Sequence, residues 1–419
     1  MSLAPETLEE IIAFTPPESH LALSVVSKLL YALCVRPIYS DVSLKSAAAV
    51  AKCCRTLANN AFAASAVRSF EISYAPSFLR PFGRFYSLIG RALQQMTNVQ
   101  RLDLLAPDYQ YIAALAHCSL PRLSRFTCCL FLDDTMVAFL NRHLQISYLQ
   151  LGAHEDTPLP HDAIVMLPKL EYFVGNTVCV APLMHHASLR AAFITWDDVG
   201  QSTEDPITAL ERSSTDTLNF LGCRRQGWNI DLLDRISTHL PHIYALNLTN
   251  LFFTDDPPEH SNRQTIGMYL SRFSCLQRLA INCNVWRTEG QRALQLDDAF
   301  DTVTAWGNAC PSLVECTPPQ TSTLKWVRVC DDLWLPDPAN RTGTRWIWGR
   351  LRAGSYAGWD RVVAAVRKRR RGADAQARLL ALRTAALAHE YETDDEDAVG
   401  VRGVRLGGAG WRVADDEDE

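Results

Sequence analysis

The sequence predicts an α/β fold in which a short N-terminal helical module precedes an irregular solenoid of strand–helix repeats, with parallel strands on its concave face. Two observations predict it. Amphipathic segments interrupted by prolines occupy the first 45 residues, and a short apolar pattern recurs through the middle of the chain with helical spacing between its copies. We divide the chain into an N-terminal module at 1–45, a helical connector at 46–66, a repeat domain at 67–335 and a C-terminal segment at 336–419.

Length and composition are those of a folded, water-soluble protein. The chain has 419 residues, of which 47% are hydrophobic and 21% charged, and its formal net charge is −5. These values exclude a wholly disordered chain, and the negative balance argues against a protein that coats nucleic acid along its whole length. A chain of this length should form two or three folding units.

The cysteines and the N-terminus together indicate the compartment. The 13 cysteines would suit a secreted framework, but the chain opens with glutamates where a signal peptide needs basic residues. A membrane-spanning helix needs about 18 consecutive apolar residues, and the segment 21–35 is interrupted by Ser24, Ser27 and Lys28. We therefore expect a cytoplasmic or nuclear protein without a membrane partner, whose cysteines stay reduced and act as small buried apolar residues.

The first helix of the N-terminal module follows from its residue types. Pro5 suits the first turn of a helix, and the glutamates after it complement the positive end of the helix dipole. Leu8 and Ile11 provide an apolar face. This helix should end near Phe14, because two prolines follow.

A second helix is predicted before Pro37. One apolar stripe recurs at offsets of 0, 3, 7 and 10 and consists of Leu23, Val26, Leu30 and Leu33. The residue before a proline disfavours the helical conformation, so this helix should end ahead of Pro37. Helices this short are marginal in water by themselves, and both must pack against something.

The N-terminal residues resemble an F-box. The resemblance covers about residues 1–45 and rests on Leu3, Pro5, Glu6, Leu8, Ile11, Leu21, Leu23, Val26, Ser27, Lys28, Pro37, Ile38 and Tyr39. It implies a hydrophobic helical module that docks on a Skp-type adaptor and thereby joins a cullin ubiquitin ligase. The residues that the resemblance assigns to adaptor binding are Leu3, Pro5, Leu8, Ile11, Leu23, Val26, Ser27, Leu30, Pro37, Ile38 and Tyr39.

The chain departs from the usual F-box pattern in three places. Leu3-Ala4-Pro5-Glu6 replaces Leu-Pro-Pro-Glu, Thr15-Pro16-Pro17 replaces the second Leu-Pro, and Leu30 or Tyr31 stands where a tryptophan is frequent. The alternative interpretation is a plain helical cap over the next domain. A short, degenerate helical motif is only moderately specific, so both interpretations are carried forward.

The repeat domain contains an apolar triplet at offsets 0, 3 and 5, which suits a short strand whose alternate side chains point inward. The clean copies are Val67/Phe70/Ile72, Val99/Leu102/Leu104, Leu123/Phe126/Cys128, Ile146/Leu149/Leu151, Ile243/Leu246/Leu248, Leu276/Leu279/Ile281 and Leu324/Val327/Val329. Blurred copies start at Leu170, Leu189, Leu218 and Leu313. From Val67 to Leu313, successive copies start 19 to 37 residues apart.

Helical spacing separates several of these copies. The apolar positions concerned are Phe82, Phe85, Tyr86 and Ile89; Met136, Val137 and Leu140; Ile266, Tyr269, Leu270 and Phe273; and Ala299, Phe300, Val303 and Trp306. A proline often precedes the next strand, as in Leu120-Pro121, Leu167-Pro168, Leu240-Pro241 and Cys310-Pro311. Because proline cannot continue a helix, each indicates a change from helix to strand.

The repeat domain resembles the degenerate leucine-rich repeats that commonly follow an F-box in fungal proteins. Asn284 fits the turn asparagine of that repeat, but most copies lack one. The main structural alternative is a doubly wound sheet. In the solenoid interpretation, repeats stack because none can bury its apolar faces alone, which leaves the concave strand face free for a partner. The residues expected to line that face are Arg101, Asp103, Arg125, Tyr148, Gln150, Tyr172, Asn247, Arg278, Asn282, Trp326 and Arg328.

The C-terminal segment divides into a basic and an acidic part. From Arg345 to Arg383 there are 11 basic and two acidic residues, and the chain ends in an acidic stretch that we expect to be disordered. The run 367–371 resembles a nuclear-import or nucleic-acid-binding patch, but such runs are common, and a solvated face on an arginine-rich helix is the slightly favoured explanation.

Catalytic motifs are missing from the sequence. It contains no phosphate-binding glycine loop, no His-Glu-x-x-His zinc helix and no Gly-x-Ser-x-Gly nucleophile elbow, and its adjacent Cys and His pairs lack metal-ligand spacing. We expect no enzyme activity, no cofactor and no metal in this chain.

The leading hypothesis is the substrate-recognition subunit of a Skp–cullin–F-box ubiquitin ligase, with an unidentified target protein on the repeat face. The alternative is a non-catalytic leucine-rich-repeat scaffold, nuclear or in contact with nucleic acid through its basic C-terminal segment.

Overall fold

The computed structural model describes most of the chain up to residue 361. The described residues are 4–73, 83–106, 108–130, 132–152, 164–196, 205–214, 216–225, 230–250, 260–283, 289–319, 324–330, 333–337, 339–354, 356 and 359–361. The chain divides into two compact units, Met1–Pro336 and Asp337–Glu419. No helix among the residues described is long and apolar enough to cross a bilayer.

Thirteen strands of the described residues form one sheet and lie in it in the order of the chain. They are β1 (Asp41–Leu44), β2 (Ser69–Ile72), β3 (Arg101–Leu104), β4 (Arg125–Cys128), β5 (Tyr148–Leu151), β6 (Tyr172–Asn176), β7 (Ala191–Trp196), β8 (Phe220–Arg225), β9 (Ala245–Asn250), β10 (Arg278–Cys283), β11 (Glu315–Thr317), β12 (Trp326–Cys330) and β13 (Leu333–Pro336). Strands β1 to β11 are parallel, and the last two pairings are antiparallel.

This strand order decides between the architectures that the sequence allowed. A doubly wound sheet reverses its order at a switch point, and a closed barrel pairs its first strand with its last. Here each strand lies beside its predecessor, and the sheet runs from β1 to β13 without closing. The prediction of an α/β, solenoid-like repeat fold is confirmed.

Helices alternate with the strands through most of the first unit. They are α1 (Pro5–Phe14), α2 (Pro17–Ser24), α3 (Lys28–Tyr39), α4 (Ala47–Asn59), α5 (Ala61–Ala66), α6 (Gly83–Gln95), α7 (Gln110–Leu115), α8 (Asp134–Arg142), a 3₁₀ turn (Thr177–Cys179), α9 (Val180–Leu183), α10 (Pro206–Ser214), α11 (Ile230–His239), α12 (His260–Leu270) and α13 (Glu289–Ala309). Successive helices pack against one another, as α6 does on α7 and α11 on α12. The second unit contributes α14 (Arg341–Arg352).

A backbone hydrogen-bond ladder joins the repeats immediately before their strands. The carbonyl of Ser40 accepts the amide hydrogens of Arg68 and Ser69, and the carbonyl of Arg68 accepts those of Gln100 and Arg101. The same double acceptance continues at the carbonyls of Gln100, Ser124, Ser147, Glu171, Arg190, Asn219, Tyr244 and Gln277. The ladder keeps the starts of β2 to β11 aligned, so equivalent residues of successive repeats lie side by side.

The core lies on the helical side of the sheet. Its central row is formed by paired strand residues that are all buried: Val42, Phe70, Leu102, Phe126, Leu149, Phe173, Ala192, Leu221, Leu246, Leu279 and Cys316. These are the middle positions of the predicted triplets, with Val42 added at the start. The apolar pattern of the sequence therefore marks the face of each strand that packs under the helices.

The first residue of most triplets closes a tight turn. The amide of Leu123 donates to the carbonyl of Leu120 over 3.0 Å, and the same bond recurs from Leu170 to Leu167 and from Leu313 to Cys310. The prolines that indicated a change from helix to strand occupy the second position of such turns. Proline fixes the backbone angle required there, which explains why it precedes these strands.

Two parts of the N-terminal prediction require correction. The second helix is two helices, α2 and α3, because the Ser27 hydroxyl accepts the Leu30 amide over 3.1 Å and caps a new helix start. The stripe Leu23/Val26/Leu30/Leu33 is therefore not one face of one helix. Helix α3 also continues through Pro37 to Tyr39, where the missing proline N–H affects only its last turn.

The sheet also extends beyond the predicted repeats at both ends. We expected the strands to start at Val67, but β1 begins at Asp41 and pairs with β2 along its whole length. At the other end, β12 and β13 form an antiparallel hairpin. In β12 the face assignment is shifted by one residue, since Trp326 pairs with the core residue Cys316 and Val327 pairs with Glu315. A shift of one residue exchanges the two faces of a strand.

No disulfide joins the cysteines that the structure describes. Cys34, Cys54, Cys118, Cys128, Cys179, Cys223, Cys310 and Cys316 are buried, whereas Cys275 is exposed. Burial raises the pKa of the Cys54 and Cys179 thiols to about 12. Thiols with a raised pKa are poor nucleophiles, so these cysteines behave as apolar packing residues.

Candidate protein-interaction surfaces

The first three helices expose an unusual number of large apolar side chains. Phe14 is 90% exposed, Val25 is 84% exposed and Val26 is 69% exposed. We call the following set the N-terminal apolar group: Ile11, Phe14, Leu21, Val25, Val26 and Leu29. All six belong to α1, α2 or the start of α3 and its preceding link.

The opposite side of these helices is buried and anchored. Ile12 is buried, and its carbonyl contacts Nε2 of the buried His20 over 3.0 Å, which ties α1 to α2. Cys34 and Val35 of α3 are buried, and α3 packs on α5 and β1. The amide of Asn60 donates to the Tyr31 hydroxyl over 3.0 Å. The helices therefore cap the first strand with one side and expose the other.

The residues assigned to adaptor binding lie on these helices, except Leu3, which is outside the described residues. Exposed members are Pro5, Ile11, Val26, Ser27 and Pro37, and half-buried members are Leu8, Leu23, Leu30, Ile38 and Tyr39. Sequence reasoning missed Phe14 and Val25, the two most exposed apolar residues of the group. Phe14 is the last residue of α1, and Val25 directly follows α2. At such a position no later turn of the helix shields an apolar side chain from solvent.

The strand face opposite the core, which we call the outward face, is built in aligned rows. One row contains Asp41, Ser69, Arg101, Arg125, Tyr148, Tyr172, Ala191, Phe220, Ala245, Arg278 and Glu315. The row two residues along contains Ser43, Glu71, Asp103, Thr127, Gln150, Val174, Phe193, Gly222, Asn247, Ala280 and Thr317. Nine of the residues predicted to bind a partner stand on this face, at β3 to β6, β9 and β10.

Two arginines of the outward face stack on aromatic rings of adjacent strands. The Arg125 guanidinium lies 4.1 Å from the centre of the Tyr148 ring, and the Tyr148 hydroxyl donates to Gln150 Oε1 over 3.1 Å. The second pair joins β7 and β8, where the guanidinium of Arg224 in β8 lies 4.6 Å from the centre of the Phe193 ring in β7. That ring covers Gly222, where any side chain would overlap it.

Several other polar residues of the outward face pair with one another. Arg101 forms an ion pair with Asp103, whose side chain is only 3% exposed. The Arg278 guanidinium is 3.4 Å from Glu315 Oε2. The Asn282 amide donates to Asn247 Oδ1 over 2.9 Å. These contacts engage polar groups of β3 and of β9 to β11 within the sheet, whereas Arg125 and Tyr172 are exposed and have no carboxylate partner among the described residues.

Two residues predicted to bind a partner do not lie on the outward face. The side chains of β12 alternate one residue out of step with the prediction, because Trp326 pairs with the core residue Cys316. Trp326 is completely buried, and its ring lies 5.8 Å from that of Phe300 in α13. Arg328 donates through Nη1 to the carbonyl of Pro311 over 2.9 Å, and its guanidinium lies 5.9 Å from the centre of the Trp334 ring. Both side chains support the end of the sheet.

A groove of about 670 Å³ lies between α12 and α13 on the helical side. Its lining includes Gly267, Met268, Thr302, Ala305 and Trp306. The Trp306 indole donates to the Arg263 carbonyl over 3.0 Å, which fixes the ring between the two helices. No cluster of three potential metal ligands occurs in the part of the chain that the structure describes.

The basic segment of the second unit is described only in part. Helix α14 starts at Arg341, where the Asn340 side chain accepts the Gly343 amide over 3.0 Å, and the Arg350 guanidinium lies 5.1 Å from the centre of the Trp346 ring. The basic run 367–371 and the acidic stretch that follows it lie outside the described residues.

Comparisons with known proteins assign no family to this chain. No family model matches it, and no curated protein matches it. Among solved structures, a crystal structure of a Bacteroides fragilis protein, determined as a structural-genomics target, is similar with 9% sequence identity and a TM-score of 0.32. The similarity covers 56% of this chain and 64% of that one, so the chain spans less than two thirds of the other protein. A likeness at this level carries no functional argument.

Proposed function

We propose that this chain is the substrate-recognition subunit of a Skp–cullin–F-box type ubiquitin ligase. The N-terminal helices bind a Skp-type adaptor, and the outward face of the sheet binds a target protein. The chain itself is non-catalytic and places its target beside the enzymes of the assembled ligase. The observation that carries the proposal is the exposed N-terminal apolar group on helices that resemble an F-box.

An end cap of a repeat protein needs a polar outer surface for solubility. The outer side of this cap carries large apolar side chains, with Phe14, Val25 and Val26 between 69% and 90% exposed. Burying one such side chain contributes about 1.5–3 kcal/mol, so several together can support a stable interface. A large apolar surface on a folded protein is typical of a binding site.

The capping and docking interpretations concern different sides of the same helices. Ile12, Cys34 and Val35 face inward and hold the cap on the sheet, whereas the N-terminal apolar group faces outward. Both interpretations can therefore hold at once. Substitutions in the outward group should abolish adaptor binding and leave the fold intact.

The test is co-purification of the full chain with a recombinant Skp-type adaptor. Val25→Asp combined with Val26→Asp should eliminate adaptor recovery, while circular dichroism and the thermal midpoint remain those of the parent. Met268→Asp is the matched control, because Met268 is also apolar and exposed but lies on α12. Equal adaptor recovery from parent and double variant would exclude the assignment. Truncation at residue 45 is unsuitable, because it removes β1.

The competing hypothesis is a non-catalytic repeat scaffold in which the helices are only a cap. It predicts no adaptor recovery from the parent chain. It further predicts that the double variant at Val25 and Val26 improves solubility without loss of any partner. Nucleic-acid contact through the basic segment belongs to this hypothesis, and its affinity should fall steeply with salt.

A further inference from the structure

We propose that the outward face from β4 to β8 binds an extended acidic peptide segment of the target, with one carboxylate on Arg125 and another on Arg224. This inference deepens the proposed function, since it rests on a target site on the outward face and assigns the chemistry of what binds there. The partner is recognised by two anionic side chains with apolar residues between them.

The charge of this region is unbalanced. The outward positions of β4 to β8 include Arg125 and Arg224 and no aspartate or glutamate. Arginines elsewhere on the face have carboxylate partners, namely Arg101 with Asp103 and Arg278 with Glu315. Within the described part of the chain, Arg125 and Arg224 have none. A site with positive charge and no counter-ion among the residues that the structure describes favours an anionic partner.

Both arginines are already held in position by stacking. The rings of Tyr148 and Phe193 cover one face of each guanidinium at 4.1 and 4.6 Å. Stacking leaves the N–H groups at the edge of the guanidinium free to form two parallel hydrogen bonds to a carboxylate. Because the side chains are already ordered, binding costs less conformational entropy than it would for freely rotating arginines.

The separation of the two arginines fixes the spacing of the acidic residues. Arg125 and Arg224 stand four strands apart, and neighbouring strands are about 4.8 Å apart, which gives about 19 Å across the sheet. Phe220 is the β8 residue in the row of Arg125, and Arg224 is four positions further along that strand, which adds about 13 Å at right angles and gives about 23 Å in total. An extended peptide advances about 3.3 Å per residue, so the two carboxylates should be about seven residues apart.

The surface between the arginines suits apolar side chains. Tyr172 is 42% exposed, and Val174 and Phe193 are half-buried on the outward side of β6 and β7. Gly222 leaves room for the Phe193 ring, which a Cβ atom at that position would overlap. An apolar residue midway between the two acidic ones would contact this strip.

The experiment measures binding of a fluorescein-labelled peptide to the full chain by fluorescence anisotropy. The peptide carries two glutamates about seven residues apart, the spacing that the sheet geometry gives, with leucine and valine between them. We expect saturable binding that weakens at least ten-fold in Arg125→Gln and in Arg224→Gln. Arg55→Gln, an exposed arginine of α4, is the control and should bind as the parent does. Replacing one peptide glutamate with glutamine should cause the same loss, and that loss should not add to the matching arginine substitution.

Three outcomes would overturn the inference: no binding to the parent chain, equal binding by the two arginine variants, or equal binding of the glutamine peptide. Binding of a single-stranded RNA that is lost in the same variants, without peptide binding, would assign the face to nucleic acid instead. Adaptor co-purification of Arg125→Gln separates this inference from the proposed function, because the adaptor should be recovered fully whatever the peptide does.

Discussion

His143 accepts the backbone amide hydrogen of Leu120 through Nε2, over 2.9 Å, and so joins two successive repeats below the sheet. Since Nε2 is the acceptor, the ring proton is on Nδ1, which donates to the Phe139 carbonyl over 2.6 Å. The imidazole is 3% exposed. Only the neutral ring can make both bonds, and burial lowers the pKa of His143 below its ordinary value.

His143 should make the stability of the fold depend on pH. In the unfolded chain its pKa is about 6.5, whereas the folded protein takes up the proton only at lower pH. The unfolded state therefore binds more protons below about pH 6.5, and the free energy of unfolding falls as the pH decreases from there. Urea denaturation between pH 7.5 and 5.5 measures this slope. His143→Asn should reduce it and His117→Asn, at an exposed position, should not; equal slopes in parent and His143→Asn would contradict the prediction.

Gly152→Ala should destabilise the fold by about 1–3 kcal/mol. A Cβ atom at this position would lie 2.6 Å from the backbone carbonyl carbon of Cys129 in the neighbouring repeat, and backbone cannot rotate away as a side chain can. Gly267→Ala is the matched control, since its added methyl would meet only Trp306 at 3.7 Å. That helical substitution should stabilise the fold by about 0.5–1 kcal/mol. Urea midpoints for both variants check the contrast, and no loss in Gly152→Ala would refute the close approach.

Trp326→Ala should cost about 3–5 kcal/mol, because it empties a fully buried site beneath α13. Tyr172→Ala, at a position that is 42% exposed, should cost less than about 1 kcal/mol. Denaturant unfolding of the two variants measures the difference. If Trp326→Ala kept the stability of the parent chain, Trp326 could not lie on the buried face of β12.

Asn60→Ala should destabilise the junction between the N-terminal helices and the first repeat by about 1–2 kcal/mol. The Asn60 side chain accepts the Ala63 amide over 3.1 Å to cap α5 and donates to the Tyr31 hydroxyl. Tyr31→Phe removes only the second bond and should have the smaller effect. Thermal unfolding of both variants tests this order, and a larger loss in Tyr31→Phe would show that the cap contributes little.

The strand predictions succeeded because they rested on two physical requirements at once. Leu123 closes the turn that starts at Leu120, whereas Phe126 and Cys128 pack into the core. The spacing 0, 3 and 5 therefore reflects both the turn before the strand and the buried face of the strand. Strand β1 carries the same spacing in Tyr39, Val42 and Leu44. It was missed because Tyr39 also reads as the end of the preceding helix. In β12 the triplet misled, since its antiparallel pairing with β11 places Trp326 opposite Cys316.

Part of the outward face was also predictable. Arg101, Arg125, Tyr148 and Tyr172 each stand two residues after a triplet start, which places them in one row once the strands are parallel and aligned. Local spacing does not reveal which charges find partners. The structure was therefore needed to show that Asp103 is buried and that no described carboxylate pairs with Arg125. Arg224 and Phe193 were missed because they lie in blurred copies of the triplet.

The carbonyl ladder that runs from Ser40 to Gln277 has a mechanical consequence. Each carbonyl of the ladder binds only amides of the next repeat, so no hydrogen bond of the ladder spans more than two repeats. A force applied along the chain therefore breaks the contacts of one repeat at a time. When the protein is pulled from its two ends, its length should increase in a series of small extension steps, each caused by the unfolding of one repeat. A single unfolding event of the whole sheet is not expected.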